Sequence, residues 1–231
     1  LEQSEQRRQE FIANVSHELK TPMTTIGGYV DGILDGTIPK DNEKHYLQIV
    51  SSEVRRLSRL VRSMLDLSRL QAQGIDESRK TRFDLGDVMG DVLITFEQKI
   101  NARGLQVSVD LPEKPVWTKA DRDAITQVVY NLLDNAIKFC PVGGNLGLIL
   151  EQDGQKARLR IRNTGQTIPP EELPLLFDRF HKADKARSAD REGWGLGLYI
   201  AKTIIGAHGG EIWATSENGV TEFSFTLPAV R

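Results

Sequence analysis

The sequence has few of the residues that mark several common protein classes. Its 231 residues include one cysteine, Cys140, which excludes an internal disulfide and suits a reducing compartment. The four histidines show no spacing typical of metal ligands, either with this cysteine or with one another: His17, His45, His181 and His208. We therefore expect neither a disulfide-stabilised domain nor a zinc site.

The sequence also has no large excess of positive or negative charge and few aromatic residues. Lysine and arginine total 30 against 32 acidic residues, which gives a net charge of −2, and aromatic residues make up 6% of the chain. No stretch combines basic and aromatic residues in the way that proteins binding single strands do. We therefore expect no nucleic-acid partner.

Long hydrophobic runs are absent. No segment reaches the roughly 18 consecutive apolar residues that a membrane helix needs, and no signal peptide is present. The first residue is Leu1 rather than methionine. We expect a piece of a longer protein, so the lack of a membrane segment says little about the parent.

The composition that remains is typical of a soluble globular protein, with 39% apolar and 27% charged residues. In the range 1–75, apolar residues recur three and four positions apart, which predicts two helices joined by a turn near Gly36 and Pro39. The second helix has an apolar stripe at Val50, Val54, Leu57, Val61 and Met64, widened by Leu60 and Leu67. This pattern predicts an antiparallel helical hairpin.

Each stripe of the hairpin is wider than one partner helix can cover. Two helices also make a poor core, and pairing of two hairpins into a four-helix bundle is the usual remedy. We therefore predict a homodimer through residues 1–74. The alternative is a monomeric hairpin that packs on the second domain.

The range 76–82 is charged and aperiodic, and we predict that it is a linker. From 83 to 231 the pattern changes to strands spread along the chain with helices between them, and it closes on hairpins. The predicted helices include 86–102, a helix that Asp121 caps and that ends at Phe139, and a short helix over 170–177. This order favours an α+β two-layer sandwich, a mixed sheet with helices on one face.

The first helix contains the sequence FIANVSHELKTP, in which His17 projects away from the apolar positions. Glu18 follows His17, and Thr21 lies one turn further on the same face. Pro22 should kink the helix just after this cluster. The alternative is an ordinary exposed histidine with a chance proline behind it.

In the second domain, Asn131 and Asn135 share one face of a predicted helix with Lys138 nearby. Amide oxygens can ligate Mg²⁺, and a lysine beside them can bind a phosphate. The alternative is a pair of solvated asparagines.

Glycines precede a later helix at Gly193, Gly195 and Gly197, where the backbone can approach a phosphate. A basic loop that contains Lys182, Lys185 and Arg187 could cover a nucleotide, although any surface loop can be this basic.

These motifs appear in a specific order: FIANVSHELKTP, NLLDNAIKF, NTGQTIP, LFDRF and GWGLGL. In this order they resemble the H, N, G1, F and G2 boxes of bacterial two-component sensor histidine kinases, over essentially the whole chain. The resemblance implies a phosphoacceptor hairpin in 1–75 and a Bergerat-type ATP-binding domain in 83–231. It also implies ATP and Mg²⁺ as cofactors, a receiver domain of a response regulator as partner, and a place in the cytoplasmic portion of a membrane-bound sensor.

The resemblance also implies roles for individual residues. His17 is the expected phosphoacceptor and Glu18 its hydrogen-bonding base, while Thr21 matches the position that orients a water to dephosphorylate the regulator. In the expected nucleotide site, Asn131 and Asn135 bind Mg²⁺-ATP, Lys138 lies beside the phosphates and the ring of Phe139 lies near the adenine. Lys182 and Arg187 belong to the lid over the ATP. The glycines that approach the phosphates are Gly193, Gly195 and Gly197.

One motif departs from the family pattern. The G1 box usually reads D-x-G-x-G, whereas here Asn163 stands at the aspartate and Thr167 at the second glycine, with Gly165 retained. Asn163 can still accept a hydrogen bond from the adenine amino group, but a neutral bond replaces a charge-assisted one. We expect a loss of about 1 kcal/mol, or several-fold in affinity. Thr167 also removes a permissive φ and adds a side chain near the base.

The leading interpretation is an ATP-dependent protein histidine kinase. Two alternatives stay open: an enzyme that chiefly dephosphorylates its regulator, and a dimeric signalling scaffold whose nucleotide pocket has decayed. Gyrase-like and chaperone-like ATPases of the same fold fit the second domain only. They use a glutamate where Asn131 stands here.

Overall fold

The computed structural model describes residues 2–73, 76–181 and 194–230. The chain forms two compact units, Leu1–Leu67 and Ser68–Arg231. Within the described ranges, every helix is too short or too polar to cross a bilayer.

The first unit is a helical hairpin, as predicted. Helix α1 spans Glu2–Leu34 and continues through Pro22, and helix α2 spans Lys40–Gln73. Between them, the carboxylate of Asp35 accepts a hydrogen bond from the backbone N–H of Thr37 at 2.8 Å. Gly36 has a φ of +79°, which only glycine adopts without cost. These local features close the turn.

The apolar positions of α2 differ in exposure from the predicted stripe. Leu60 and Leu67, predicted only to widen it, are fully buried, whereas Val54 and Val61 in its centre stay 46% and 44% exposed. On α1, Ile12 and Met23 are more than half exposed. A single hairpin therefore leaves a second apolar face uncovered.

The second unit is built on a five-stranded mixed sheet and a two-stranded sheet. The strands are β1 Lys80–Asp84, β2 Gln106–Asp110, β3 Trp117–Asp121, β4 Asn145–Asp153, β5 Lys156–Thr164, β6 Ile212–Glu217 and β7 Val220–Pro228. The larger sheet has the strand order β2-β4-β5-β7-β6, in which β2 and β4 are parallel and the other neighbours antiparallel. Strands β1 and β3 pair antiparallel.

Helices cover one face of the larger sheet. They are α3 Leu85–Thr95, α4 Glu97–Ala102, α5 Arg122–Phe139 and α6 Gly197–Ala207, with 3₁₀ turns at Glu77–Arg79 and Pro174–Phe177. Leu148 and Leu159 are buried on the helix side. On the opposite face, Glu151 lies between Arg158 at 3.4 Å and Arg160 at 3.0 Å. The predicted α+β two-layer sandwich is confirmed.

Three segments differ from prediction. In the predicted linker 76–82, Asp76 caps a 3₁₀ turn and residues 80–82 pair with 119–121, although the domain limits themselves stay a prediction. The helix predicted over 86–102 is interrupted at Phe96, whose ψ of 1° is not helical. The helix predicted over 170–177 is a 3₁₀ turn at its end only, because Pro174 has no N–H to donate to the carbonyl four residues before it and its ring would clash there.

The start of α5 is fixed by a buried aspartate. Asp121 accepts hydrogen bonds from the backbone N–H groups of Asp123 and Ala124, and its second carboxylate oxygen lies 3.2 Å from Arg79. Its own N–H donates to Nε2 of buried His208 at 3.1 Å, and Nδ1 of His208 bonds the carbonyl of Ile204. The helix that carries Asn131 and Asn135 is therefore anchored at its first turn.

His208 makes the stability of this unit depend on pH. Its pKa is lowered from 6.5, first by burial and also by the charge of Lys80, against smaller opposing effects of the Ile204 bond, Asp121 and Glu77. Because the pKa of His208 is lower in the folded state than in the unfolded state, the unfolded state takes up a proton at higher pH than the folded state does. The free energy of unfolding should therefore fall as the pH decreases below about 6.5 and approach a lower plateau below the folded pKa.

Urea unfolding between about pH 7.5 and 5 tests this dependence. The three tryptophans, Trp117, Trp194 and Trp213, all lie in the second unit, so their fluorescence reports its unfolding alone. His208→Gln should flatten the curve, whereas His45→Gln in the hairpin should not. Parallel curves for the unaltered chain and His208→Gln would contradict the prediction.

Candidate functional site

The predicted phosphoacceptor cluster lies on an exposed face of α1. The side chain of His17 is 80% exposed and that of Glu18 35% exposed, with 3.9 Å between Nδ1 of His17 and Oε1 of Glu18. Thr21 is exposed, and its hydroxyl donates to the carbonyl of His17 at 3.3 Å. Pro22, directly behind this cluster, is buried. The His17 ring is therefore open to a reactant from solvent.

A cavity of about 940 Å³ in the second unit contains the remaining described candidates. The C-terminal half of α5, the end of β5 with the segment after it, and the start of α6 form its walls. Eight predicted residues line it: Asn131, Asn135, Lys138, Phe139, Asn163, Gly165, Gly195 and Gly197. The predicted Lys182, Arg187 and Gly193 lie outside the described residues.

Packing of α5 aims its polar residues at this cavity. Val128, Leu132 and Ala136 are fully buried on the core side, which leaves Asn131 and Asn135 on the cavity side. The Asn131 amide donates from Nδ2 to the carbonyl of Gly197 at 3.1 Å. Its oxygen is then the group left to accept a donor or ligate a cation.

The glycines of the cavity differ in what the fold requires of them. A Cβ on Gly165 would lie 2.9 Å from the carbonyl of Phe139, and Gly195 has a φ of +67° with a Cβ position 2.7 Å from the carbonyl of His181. Both therefore need to be glycine for the chain to pack. At Gly197 the nearest atom would be Cγ of Asn131 at 3.6 Å, an ordinary contact. Protein packing alone does not require glycine at 197.

The two unusual residues of the G1 segment have defined contacts. Asn163 is 3% exposed, and its Nδ2 donates to the carbonyl of Thr164 at 3.0 Å, which leaves the amide oxygen as acceptor. The hydroxyl of Thr167 accepts the backbone N–H of Gly219 at 2.9 Å. Among the described non-glycine residues, only Phe180 and Asn218 have positive φ. The expected cost of losing a permissive φ at Thr167 is therefore wrong, since that position does not use one.

Sequence reasoning missed three charged residues of the cavity: Arg103, Asp134 and Glu172. Arg103 donates to the carbonyls of Lys138 and Cys140 at 3.3 and 2.5 Å and so caps the end of α5. Asp134 pairs with Lys99 at 2.9 Å. The partners of each pair are about 35 residues apart, so no local pattern reveals them. The orphan carbonyls of a helix end were the one available signal for Arg103.

Two family models match the chain. Residues 7–73 match the His Kinase A (phospho-acceptor) domain, and residues 120–231 match the histidine kinase-, DNA gyrase B-, and HSP90-like ATPase family. The Staphylococcus aureus sensor protein SrrB is 38% identical over 226 residues, which cover 97% of this chain. The chain spans 38% of the length of that relative.

Solved structures of histidine kinases share the fold. Acinetobacter baumannii AdeS is 29% identical with a TM-score of 0.76, and the alignment covers 93% of this chain and 98% of AdeS. The ThkA catalytic domain is 31% identical with a TM-score of 0.59, covering 64% of this chain and 95% of that domain. ThkA in complex with the response regulator TrrA is 28% identical with a TM-score of 0.79, covering 99% of this chain and 66% of ThkA. With a phospho-acceptor hairpin and an ATPase domain in this order, the chain belongs to the histidine kinase family.

Proposed function

We propose that this chain is the catalytic core of a sensor kinase that transfers the γ-phosphate of ATP to His17 and then to an aspartate of a response regulator. The observation that carries the proposal is the cavity in which Asn131, Asn135 and Lys138 face the N-terminus of α6. Carboxamide oxygens suit Mg²⁺, and a helix N-terminus with a lysine suits phosphates. We also propose that the chain belongs to the cytoplasmic portion of a larger membrane-bound sensor; the larger parent is supported by the sensor protein SrrB, of which the chain spans 38%.

In this proposal, different walls of the cavity contact different parts of the nucleotide. The adenine amino group would donate to the amide oxygen of Asn163, and Phe139 would lie against the base. The phosphates would lie between Lys138 and Gly197. Because Nδ2 of Asn131 is engaged with Gly197, its oxygen is available to share Mg²⁺ with Asn135 and the phosphates. Bound Mg²⁺ would neutralise phosphate charge during transfer.

The transfer step requires a free ring nitrogen on His17. Nδ1 is the nitrogen near Glu18, so we assign the Nδ1 proton to a hydrogen bond with that carboxylate and Nε2 to the attack. As Nε2 bonds to the γ-phosphorus, the bond to the β-phosphate oxygen breaks and ADP leaves. Glu18 accepts the Nδ1 proton, and the phosphohistidine is then ready for an aspartate.

The receiver domain would meet the exposed face of α1 around His17. The complex of ThkA with its response regulator supports a partner of this kind. Thr21, one turn from His17, would orient a water that hydrolyses the phosphorylated regulator. This second activity is the phosphatase function that we propose for the same face.

One observation favours a second candidate function. Asn163 replaces the usual carboxylate, so the chain could act chiefly as a phosphatase or as a dimeric scaffold with weak nucleotide binding. Labelled ATP distinguishes these candidates from a kinase, because only a kinase labels itself.

The central experiment is autophosphorylation with γ-labelled ATP and Mg²⁺. The unaltered chain should acquire label that is lost in acid and kept in base, as expected of phosphohistidine. His17→Gln should abolish it, because the nucleophile is gone, while His45→Gln should label normally. Label that survives in His17→Gln would contradict the assignment of the acceptor, and no label in the unaltered chain would favour the scaffold or phosphatase.

A homodimer would cover the second apolar face of the hairpin. Val54, Val61, Ile12 and Met23 remain exposed in one chain, and their burial against a second copy should stabilise a four-helix bundle. Sedimentation of the full chain should give a dimer at micromolar concentration. Val54→Glu with Val61→Glu should shift it to monomer, whereas Gln48→Glu with Ser52→Glu, at exposed positions on another side of α2, should not. A monomeric unaltered chain would contradict the proposal.

Gly197 gives a test of the phosphate site that is separable from folding. Gly197→Ala should fold normally, because the added methyl makes only ordinary contacts, but it should weaken ATP binding about tenfold by crowding the phosphates. Gly206→Ala in the same helix meets open space and is the matched control. Calorimetry with ATP measures both variants. Equal affinities would place the phosphates elsewhere.

A further inference from the structure

The cavity wall at residues 165–169 is attached to a neighbouring turn by side-chain hydroxyls. This wall follows β5 and lies outside the strands of the sheet. At its start, the N–H of Gly165 donates to the carbonyl of Gly219 at 2.9 Å. Beyond that point, Thr167 accepts the N–H of Gly219, and Ser216 accepts the N–H of Ile168, each at 2.9 Å. The wall is thus tied to the β6–β7 hairpin at three points, two at Gly219 in its turn and one at Ser216 near the end of β6. Two of these three bonds depend on hydroxyls.

The turn that holds the wall is itself well defined. Asn218 and Gly219 have φ of 52° and 76°, the left-handed pair that closes a tight hairpin. The hydroxyls of Ser216 and Thr221 are 2.8 Å apart, and Thr221 is 5% exposed and lines the cavity. The hydrogen bonds between the wall and this turn therefore join the wall to a part of the chain with a defined backbone conformation.

We propose that Thr167 and Ser216 are positioning residues for nucleotide binding, which hold the 165–169 wall in the geometry that receives the base. The inference rests on the proposed ATP site and assigns a role to two residues that the proposed function does not use. A segment without ladder partners would otherwise have to be ordered by the ligand, at a cost in conformational entropy. The two hydroxyl hydrogen bonds order the wall when the protein folds, so ATP binding does not have to order it.

The position of Thr167 makes this role more specific. The wall begins two residues after Asn163, whose amide offers the base a neutral bond. A preordered wall strengthens every contact that the base makes with it, so the tether offsets part of the loss at Asn163.

The test uses the full chain with Thr167→Val and Ser216→Ala, each of which removes one hydroxyl. Thr167→Ser restores the hydroxyl without the methyl. Thr126→Val is the matched control, since that exposed hydroxyl bonds only a carbonyl of its own helix. Hydrogen exchange of the Ile168 and Gly219 amides is measured without nucleotide, and the dissociation constant of ATP is measured by calorimetry.

In Thr167→Val the Gly219 amide should exchange faster, and in Ser216→Ala the Ile168 amide should do so. Each variant should bind ATP about fivefold more weakly, the equivalent of one neutral hydrogen bond. The KM for ATP should rise by a similar factor with kcat nearly unchanged. Thr167→Ser should recover both readouts, and Thr126→Val should match the unaltered chain.

The outcomes separate this inference from the proposed function. Unchanged amide exchange in Thr167→Val and Ser216→Ala overturns the tether whatever the affinity. Faster exchange with unchanged ATP affinity shows a purely structural bond and overturns the positioning role alone. Failure of the unaltered chain to bind ATP overturns both proposals.

Discussion

Burial of one face of α5 is the constraint on which the second unit depends. The helix is capped by Asp121 at its start and by Arg103 at its end, and its core side is closed by residues such as Val128 and Leu132. With both ends and one face fixed, Asn131, Asn135 and Lys138 must lie along the opposite side. The cavity is therefore a consequence of core packing, and the packed helix fixes the positions from which its polar side chains project. A site built in this way can bind a polyphosphate without rearranging the helix that carries its ligands.

The same helix explains why the neighbouring segments are so tightly built. Gly165 brings the end of β5 within contact distance of the last turn of α5, and Gly197 places the start of α6 against Asn131. Three separate parts of the chain thus converge on one helix side. In the first unit, the buried leucines of α2 orient the hairpin and leave His17 exposed. In each unit, the residues that we assign to function therefore lie on the helix face that is left over once the apolar residues are buried.

Much of this could be predicted from sequence because it depends on local periodicity. The hairpin, the Asp121 cap and the β4–β5 and β6–β7 hairpins follow from apolar spacing and turn residues within a few positions. The features that were missed depend on partners far along the chain. Arg103 meets the end of α5, Thr167 meets Gly219, and Phe96 interrupts a helix whose periodicity continues past it. The stripe of α2 was misjudged at Val54 and Leu60 because periodicity cannot tell which of two apolar faces meets the partner helix and which stays open.

The central claim is that a cavity built around Asn163 still binds ATP, and calorimetry of ATP and Mg²⁺ with the unaltered chain and Asn163→Asp tests it most directly. We expect the unaltered chain to bind, and Asn163→Asp to bind several-fold more tightly because a charge-assisted bond to the adenine amino group replaces a neutral one. If neither chain binds ATP at millimolar concentration, the cavity is not a nucleotide site and the account is wrong.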